Sequence, residues 1–213
     1  MAISEKPFAS CTLKSVDKQF RTRRTEQLPS LTDWLNRPAE ISNFEREALM
    51  RFQRGLNFNV HDWNEHELDT HFIGPIFALI DFSTLAFNHF SQRDIEATVD
   101  GMVASSYREP EQPFFVFQDY KLNLDSDDCP AHVDPAGQCL AAMLAGQMLN
   151  PSPDLPVYGC NVMGSLWQFM TLEDRQYATS PGYSATSDDL FDVVRILKTL
   201  KQIVAERVAA VNP

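Results

Sequence analysis

Two aspartates and one lysine in the middle of the chain, Asp100, Asp119 and Lys121, have residue types that could act together on a phosphate ester. Asp119 and Lys121 are two residues apart, so in an extended chain they share a face about 7 Å apart along the strand. If the segment carrying Asp100 pairs with this one, two carboxylates converge beside an ammonium group. Carboxylate oxygens suit Mg²⁺ or Mn²⁺. A lysine beside such a site can orient water or stabilise charge on a phosphoryl group.

The segments around these residues predict two strands. Residues 95–104 alternate between apolar and polar positions, and 114–117 form a continuous apolar run typical of a strand covered on both faces. An acidic residue two places before a lysine is a weak pattern, since 6 lysines and 29 acidic residues give about one such pair by chance. Its place directly after a buried strand makes the pattern more specific. The alternative for Asp100, which precedes Gly101, is a turn aspartate.

Helices are predicted before, between and after these strands. A capping box at Ser42 and Glu45 begins one helix, which Gly55 is expected to end. A second begins near Asn64, and Pro75 is expected to kink or divide it. The remaining expectations are an irregular segment at 1–29, short helix at 30–35, helix at 135–149 after Asp134, hairpin from 156–162 and 166–172, and final helix at 187–209.

This order of elements predicts an α/β fold. Helices come first, followed by two strands, a helix, two more strands and a final helix, which fits a sheet covered by helices on both faces. Short loops at 105–113 and 163–165 make antiparallel neighbours expected, so the sheet would be mixed. Residues 1–60 are interpreted as a helical extension packed on the core, and residues 61–213 as the core itself.

The composition is that of an ordinary globular chain, with 213 residues, 44% hydrophobic residues and a net charge of −11. Such a charge argues against a protein that wraps nucleic acid tightly. Residues 1–60 nevertheless carry 10 basic and 7 acidic side chains. Their basic cluster could contact phosphate, dock on the acidic remainder or be solvated. The basic cluster consists of Lys14, Lys18, Arg21, Arg23 and Arg24.

Four cysteines without paired spacing are interpreted as free thiols in a reducing cytoplasm. The first ten residues lack the apolar stretch of a signal peptide, and no apolar run reaches the ~20 residues that cross a bilayer. A cytoplasmic chain without membrane contact is therefore expected.

The sequence resembles the PD-(D/E)XK nucleases, whose signature is an aspartate followed by an acidic residue, any residue and lysine. Within that superfamily it resembles the nuclease-like domain at the amino terminus of type I restriction subunits, and uncharacterised bacterial relatives. The signature is matched by Asp100 and by Asp119-Tyr120-Lys121. Two departures are Asp119, where glutamate is commoner, and Val99, where proline is. Further similar segments are 67–75 (Glu-Leu-Asp-Thr-His-Phe-Ile-Gly-Pro), 134–138 (Asp-Pro-Ala-Gly-Gln), 157–160 (Val-Tyr-Gly-Cys) and 166–169 (Leu-Trp-Gln-Phe).

The resemblance implies a restriction-endonuclease-like three-layer fold and metal-assisted hydrolysis of phosphodiester bonds in DNA more than RNA. Asp100, Asp119 and Glu67 would be ligands of Mg²⁺ or Mn²⁺. Lys121 would be the catalytic lysine and Gln138 an accessory polar group. A dimer or a partner subunit would add affinity for DNA.

Alternatives stay open for several of these assignments. Glu67 stands at capping-box spacing from Asn64, so it could cap a helix, with or without binding metal. Gln138 could be a solvated residue of a first helical turn. For the chain as a whole, the alternative to an enzyme is a catalytically silent binding or regulatory module, such as a subunit of a restriction or defence assembly.

Overall fold

An eight-stranded mixed sheet lies at the centre of the structure, a computed structural model. It describes residues 11–94, 98–121, 134–152 and 154–211, apart from the side chains of residues 94, 98, 117, 119, 121 and 211. The strand order is β1-β7-β6-β5-β4-β3-β2, and β8 pairs with β6. The strands are β1 (Arg23–Arg24), β2 (Phe87–Asp94), β3 (Thr98–Ser105), β4 (Glu111–Lys121), β5 (Val157–Met163), β6 (Leu166–Glu173), β7 (Gln176–Thr179) and β8 (Tyr183–Ser184).

Helices cover both faces of this sheet, as the order of elements predicts. Helices α6 and α1 lie on one face of the sheet, and the remaining helices lie on the other. A separate apolar cluster fills the space between the sheet and each layer of helices. The helices are α1 (Leu13–Phe20), α2 (Pro29–Asn36), α3 (Asn43–Asn59), α4 (Glu65–Leu68), α5 (Gly74–Ile80), α6 (Pro135–Leu149) and α7 (Asp189–Val211), and a π-helical turn (Asp69–Ile73) joins α4 to α5. The α/β class and the mixed sheet are confirmed.

The strongest sequence patterns correspond to observed elements. The alternating segment overlaps β3 from Thr98 onward, and the apolar run lies in β4, which lies between β3 and β5 in the sheet. That position explains the run, because a central strand is covered on both faces. The predicted hairpin is β5–β6, an antiparallel pair in which Gly164 takes a φ of 57° at the turn.

Helix α6 connects β4 to its parallel neighbour β5 and therefore runs back across the sheet. Its end is fixed by Asn150, whose Oδ1 accepts from the Phe114 amide at 2.7 Å and whose Nδ2 donates to the Phe114 carbonyl at 2.9 Å. Because Phe114 lies near the start of β4, the first turn of α6 lies toward the end of β4. Residues 119–121 and the start of α6 therefore belong to the same end of the sheet.

The expectation of an irregular segment over 1–29 is wrong for its described part. Thr12 and Ser15 form a capping box that begins α1, in which the Thr12 hydroxyl accepts from the Ser15 amide at 3.2 Å. After Arg21, which has a φ of 57°, the chain adds Arg23 and Arg24 to the sheet as β1. The cap was readable as two hydroxyl residues three apart, whereas a two-residue strand has no sequence signature.

The structure changes the predicted end of α3 and confirms the division of the helix that contains Pro75. Gly55 does not end α3, which continues to Asn59, because the buried Leu56 keeps the next turn packed on the core. Pro75 does divide its helix, and the interruption is the π-helical turn Asp69–Ile73. The apolar stretch that follows this helix contains β2, a strand the sequence patterns did not predict.

Trp34 of α2 ties the predicted amino-terminal extension to the core. The side chain is fully buried, and its Nε1 donates to the Ile196 carbonyl of α7 at 2.8 Å. The indole also makes edge contacts with Tyr158 and Phe169 of the sheet, at ring-centroid distances of 5.0 and 5.2 Å. Residues before position 60 thus share one apolar cluster with residues after it.

Among the residues that the structure describes, no helix has both the length and the apolar character needed to span a bilayer. Cys160 is a free thiol, and both it and Cys139 are buried. Burial raises the pKa of the Cys160 thiol. A protonated, enclosed thiol acts as a small apolar side chain.

Replacing Trp34 with alanine should lower the free energy of unfolding by about 3–5 kcal/mol, because it empties a fully buried indole site and removes the bond to Ile196. Urea unfolding followed by circular dichroism would measure the change. Phe44→Ala is the matched control, since that ring is 74% exposed, and its effect should stay within about 0.5 kcal/mol. Equal effects of the two variants would contradict the shared core.

Candidate functional site

The pairing of β3 with β4 brings the positions of Asp100 and Asp119 together. Gly101 pairs with Gln118 in an antiparallel register, so Asp100 and residue 119 are the next positions on the two adjoining strands. Directly opposite residues in such a ladder have Cα atoms about 4.5–5.5 Å apart. The backbone thus meets the main condition set by the sequence, while the side chains of Asp119 and Lys121 lie outside the described part.

The carboxylate of Asp100 is held by the neighbouring strand. Its Oδ2 accepts a hydrogen bond from the backbone amide of Tyr120 at 2.8 Å, and the residue is partly buried. A turn aspartate would bond to its own segment, whereas this bond spans two strands. The alternative of a simple turn at Asp100 and Gly101 is therefore wrong, because both residues lie within β3.

Asn161 of β5 completes the row of polar positions across three strands. Its Cα partner in the parallel ladder is Asp119, and Lys121 pairs with Met163 two residues further on. The Asn161 side chain is 6% exposed, and its Nδ2 has no hydrogen-bond partner in the described part of the chain. A buried amide donor normally has a partner, so this one is available to an acceptor that enters the site.

Gln138 lies in the first turn of α6, at the end of the sheet that carries these positions. It is 6% exposed, so the alternative of a solvated first-turn residue is wrong. The helix begins at Asp134, whose Oδ1 accepts from the Gly137 amide at 3.0 Å. Twelve of the fifteen residues of α6 are buried, so Gln138 belongs to a helix that is enclosed over most of its length.

Glu67 caps α4, as its spacing from Asn64 predicts. The Glu67 Oε2 accepts from the Asn64 amide at 2.8 Å, while the Asn64 Oδ1 accepts from the Glu67 amide at 2.9 Å. One carboxylate oxygen is therefore occupied by the cap. A role of Glu67 as a metal ligand stays a prediction.

Asp69, two residues later, interacts electrostatically with Asp100 and with His89. Burial raises the pKa of the Asp69 carboxyl, His89 opposes the increase, and the negative charge of Asp100 adds to it. Asp69 begins the π-helical turn, an irregularity that widens the helix and is frequent at functional sites. The sequence patterns missed this residue, although it lies in the same stretch as Glu67.

A buried polar network lies on the opposite face of the same strands. The Gln118 Oε1 accepts from the Tyr120 hydroxyl and lies 2.9 Å from the His89 Nε2. Because that oxygen can only accept, the His89 Nε2 carries the proton. Gly101 makes the network possible, since an added Cβ would lie 2.4 Å from the Gln118 Oε1 and 3.0 Å from the Tyr120 Oη. Tyr120 therefore bonds Gln118 through its side chain and Asp100 through its amide.

An open cleft of about 410 Å³ borders this network. Its walls include the side chains of Asp69, His89 and Asp81, and Phe77 stacks on the His89 ring at a centroid distance of 4.8 Å. Burial lowers the pKa of His89, which the bond to Gln118 and the charge of Asp69 partly offset. The imidazole is therefore neutral near pH 7.

The described residues alone do not assemble a metal site, since no group of three histidine, cysteine or acidic side chains converges among them. The candidate donors at the end of β3 and β4 are the carboxylate of Asp100 and the undescribed one of Asp119. Two acidic positions that adjoin the Gly101–Gln118 pair on neighbouring strands fit the oxygen donors that Mg²⁺ or Mn²⁺ requires. The described geometry is thus compatible with the predicted ion but does not contain a complete ligand set.

Comparison with known proteins gives no assignment. The sequence matches no protein-family model, and a search of the curated proteins also finds no match. The resemblance to PD-(D/E)XK nucleases consequently depends on the motifs quoted above.

Gly101→Ala should lower the free energy of unfolding by about 1–3 kcal/mol, because the new methyl group would overlap the Gln118 amide. Gly55→Ala is the control, since its Cβ would meet only the Trp63 ring at 3.8 Å, and alanine in a helix should stabilise by about 0.5–1 kcal/mol. Chemical denaturation would give both values. A neutral effect of Gly101→Ala would contradict the close packing of the network.

Acidification below pH 6.5 should weaken the fold through His89. Its pKa is depressed in the folded protein, so the unfolded chain binds the proton first and the free energy of unfolding falls as pH decreases below 6.5. The slope from this group is at most about 1.4 kcal/mol per pH unit. Asp69 acts in the opposite sense, because its pKa is raised. Urea titrations from pH 7.5 to 5 on the parent and His89→Gln should show a steeper decline for the parent; parallel curves would contradict the assignment.

Proposed function

We propose that the protein is a divalent-metal-dependent nuclease with a restriction-endonuclease-like PD-(D/E)XK core, acting on DNA. The observation that carries this proposal is the register of β3 and β4, in which the pair Gly101 and Gln118 makes Asp100 and Asp119 the next residues on adjoining strands, with Lys121 two residues further along β4. The α/β architecture with a mixed sheet between helices supports it. So does the motif resemblance from Glu67 through the β5–β6 hairpin.

Each polar group at this end of the sheet has a role in the proposal. Asp100 and Asp119 would hold Mg²⁺ or Mn²⁺, which when bound supplies charge neutralisation at the phosphoryl oxygens and a more acidic water. The Tyr120 amide fixes the Asp100 carboxylate by occupying its Oδ2. Lys121 would place a positive charge where negative charge increases on the phosphate. The unpartnered Asn161 amide would donate to a phosphate oxygen or to a carboxylate of the site.

Gln138 and the acids of the α4–α5 segment would have secondary roles at this centre. Gln138 approaches from the first turn of α6, as an accessory donor or acceptor for the attacking water. Asp69 affects the site through its charge, since it interacts electrostatically with Asp100. Glu67 would join the ligands through its Oε1, since its Oε2 accepts from the Asn64 amide, and its contribution should therefore be smaller than that of either core aspartate.

The proposal predicts cleavage of plasmid, linear or single-stranded DNA in Mg²⁺ or Mn²⁺, with loss on addition of EDTA. Asp119→Asn and Lys121→Ala should each reduce the cleavage rate at least about hundredfold, because they remove a metal ligand and a stabilising charge. Gel assays with fluorescent DNA would measure the rates. Asp154→Asn is the control, because that exposed acid precedes β5 at the opposite end of the sheet from residues 119–121 and should leave the rate unchanged.

Calorimetry with Mn²⁺ separates an active enzyme from a catalytically silent relative. Heat of binding that disappears in Asp119→Asn supports the metal site even if the tested DNA is not cut. No Mn²⁺ binding and no cleavage would overturn the proposal and favour a binding or regulatory module built on the same fold.

A further inference from the structure

The basic cluster formed by Lys14, Lys18, Arg21, Arg23 and Arg24 is an exposed cationic surface on a chain of net charge −11. All five side chains are exposed. None of them forms an ion pair with an acid in the described part of the chain. Arg24 donates to the Thr179 hydroxyl at 2.8 Å, which orients the side chain without neutralising it.

Local structure aligns the cluster along one side of the molecule. Lys14 and Lys18 are four residues apart on α1 and so share a helix face about 6 Å apart along its axis. The face behind them is buried through Val16. Asp17, the acid of α1, accepts hydrogen bonds from Thr22 and from Tyr177, which direct its carboxylate to the protein instead of solvent.

Helix α1 is fixed at the same end of the sheet as the candidate site. The Leu13 amide donates to the Asp134 Oδ2 at 2.8 Å, so one carboxylate holds the start of α1 and the start of α6. Gly137 lets the two backbones meet, because an added Cβ would lie 2.5 Å from the Thr12 Cα. The next residue along α6 is Gln138. The basic surface thus begins at the end of the sheet that carries the candidate site and continues to β1, where Arg23 pairs with Gln176 at the opposite end.

We infer that the basic cluster on α1 and β1 is a nucleic-acid-binding surface, which contacts the phosphate backbone from the start of α1, beside the start of α6, to the opposite end of the sheet. This inference depends on the proposed function for the choice of nucleic acid among polyanions. Unpaired lysine and arginine side chains gain affinity for DNA mainly by releasing its condensed counterions. The negative charge elsewhere repels phosphate, so binding is confined to this surface. A localised basic surface also explains how a protein with a net charge of −11 could bind DNA.

The test is DNA binding by fluorescence anisotropy in EDTA, with a labelled 30-bp duplex and a 30-nucleotide strand at several salt concentrations. Lys14→Gln combined with Lys18→Gln should weaken duplex binding about tenfold and reduce the slope of log Kd against log salt by about 1.8, for two lost phosphate contacts. Arg51→Gln combined with Arg54→Gln removes the same charge from exposed positions of α3 on the opposite face. That control should bind like the parent.

Equal weakening by the two double variants, or a salt slope unchanged in the lysine variant, would overturn the inference. So would binding of phosphatidylserine vesicles or polyglutamate, but not DNA, through the same lysines. The outcome is separable from the proposed nuclease activity. If the lysine double variant loses DNA binding and the parent protein cuts no DNA, the result supports the binding surface but not the nuclease. If the lysine double variant binds and cuts DNA like the parent, the result supports the nuclease and refutes the binding surface.

Discussion

The β3–β4 register is the constraint on which both the core and the candidate site depend. A strand alternates its side chains between two faces, so a slip of one residue would exchange every neighbour of β4. In the observed register, Gly101 faces Gln118 and leaves room for the network with His89, while Asp100 reaches the Tyr120 amide. The acidic position and the buried network are therefore not independent features. Whatever stabilises the network on one face also holds the carboxylate at the strand end.

The second determinant is the crossover from β4 through α6 to β5. A parallel neighbour requires the chain to return across the sheet, so the start of α6 necessarily lies near the end of β4. In open α/β sheets, ligands bind outside the carboxyl ends of the strands for this reason, since loops and helix starts collect there. Here Asp134 adds a further connection, because its two oxygens join α6 to α1. The geometry at this end consequently involves segments far apart in sequence.

Much of the fold was predictable where a pattern had only one physical explanation. The apolar run of β4, the cap of α6 and the β5–β6 hairpin are examples, since each signal is local and strong. The strand β2 was not predictable, because its pattern resembles a continuing helix and its pairing partner lies in β3. The start of α1 was missed although Thr12 and Ser15 carried a readable signal.

The residues of the candidate site likewise include some that the sequence predicts and some that it does not. Asp100, Asp119 and Gln138 were identified from the residues and the motif resemblance, and the backbone places them at one end of the sheet. Asn161 was missed because only the register of β5 with β4 brings it beside Asp119. Asp69 was missed because its electrostatic interaction with Asp100 depends on the packing of the α4–α5 segment against the sheet and not on a pattern within that segment. These relations are contacts between segments that are distant in sequence, so no single segment contains a pattern that predicts them.

The two-residue strand β1 has a consequence for solubility. The Arg23 amide donates to the Arg175 carbonyl and the Thr25 amide to the Tyr177 carbonyl, each at 2.8 Å, so β1 occupies the hydrogen-bonding groups on the free side of β7. Exposed edge strands invite pairing with other chains, and short charged edges discourage it. Arg23 and Arg24 thus protect the edge of the sheet from pairing with other chains, in addition to carrying positive charge. A chain shortened past them would present β7 as an open edge and would be prone to self-association.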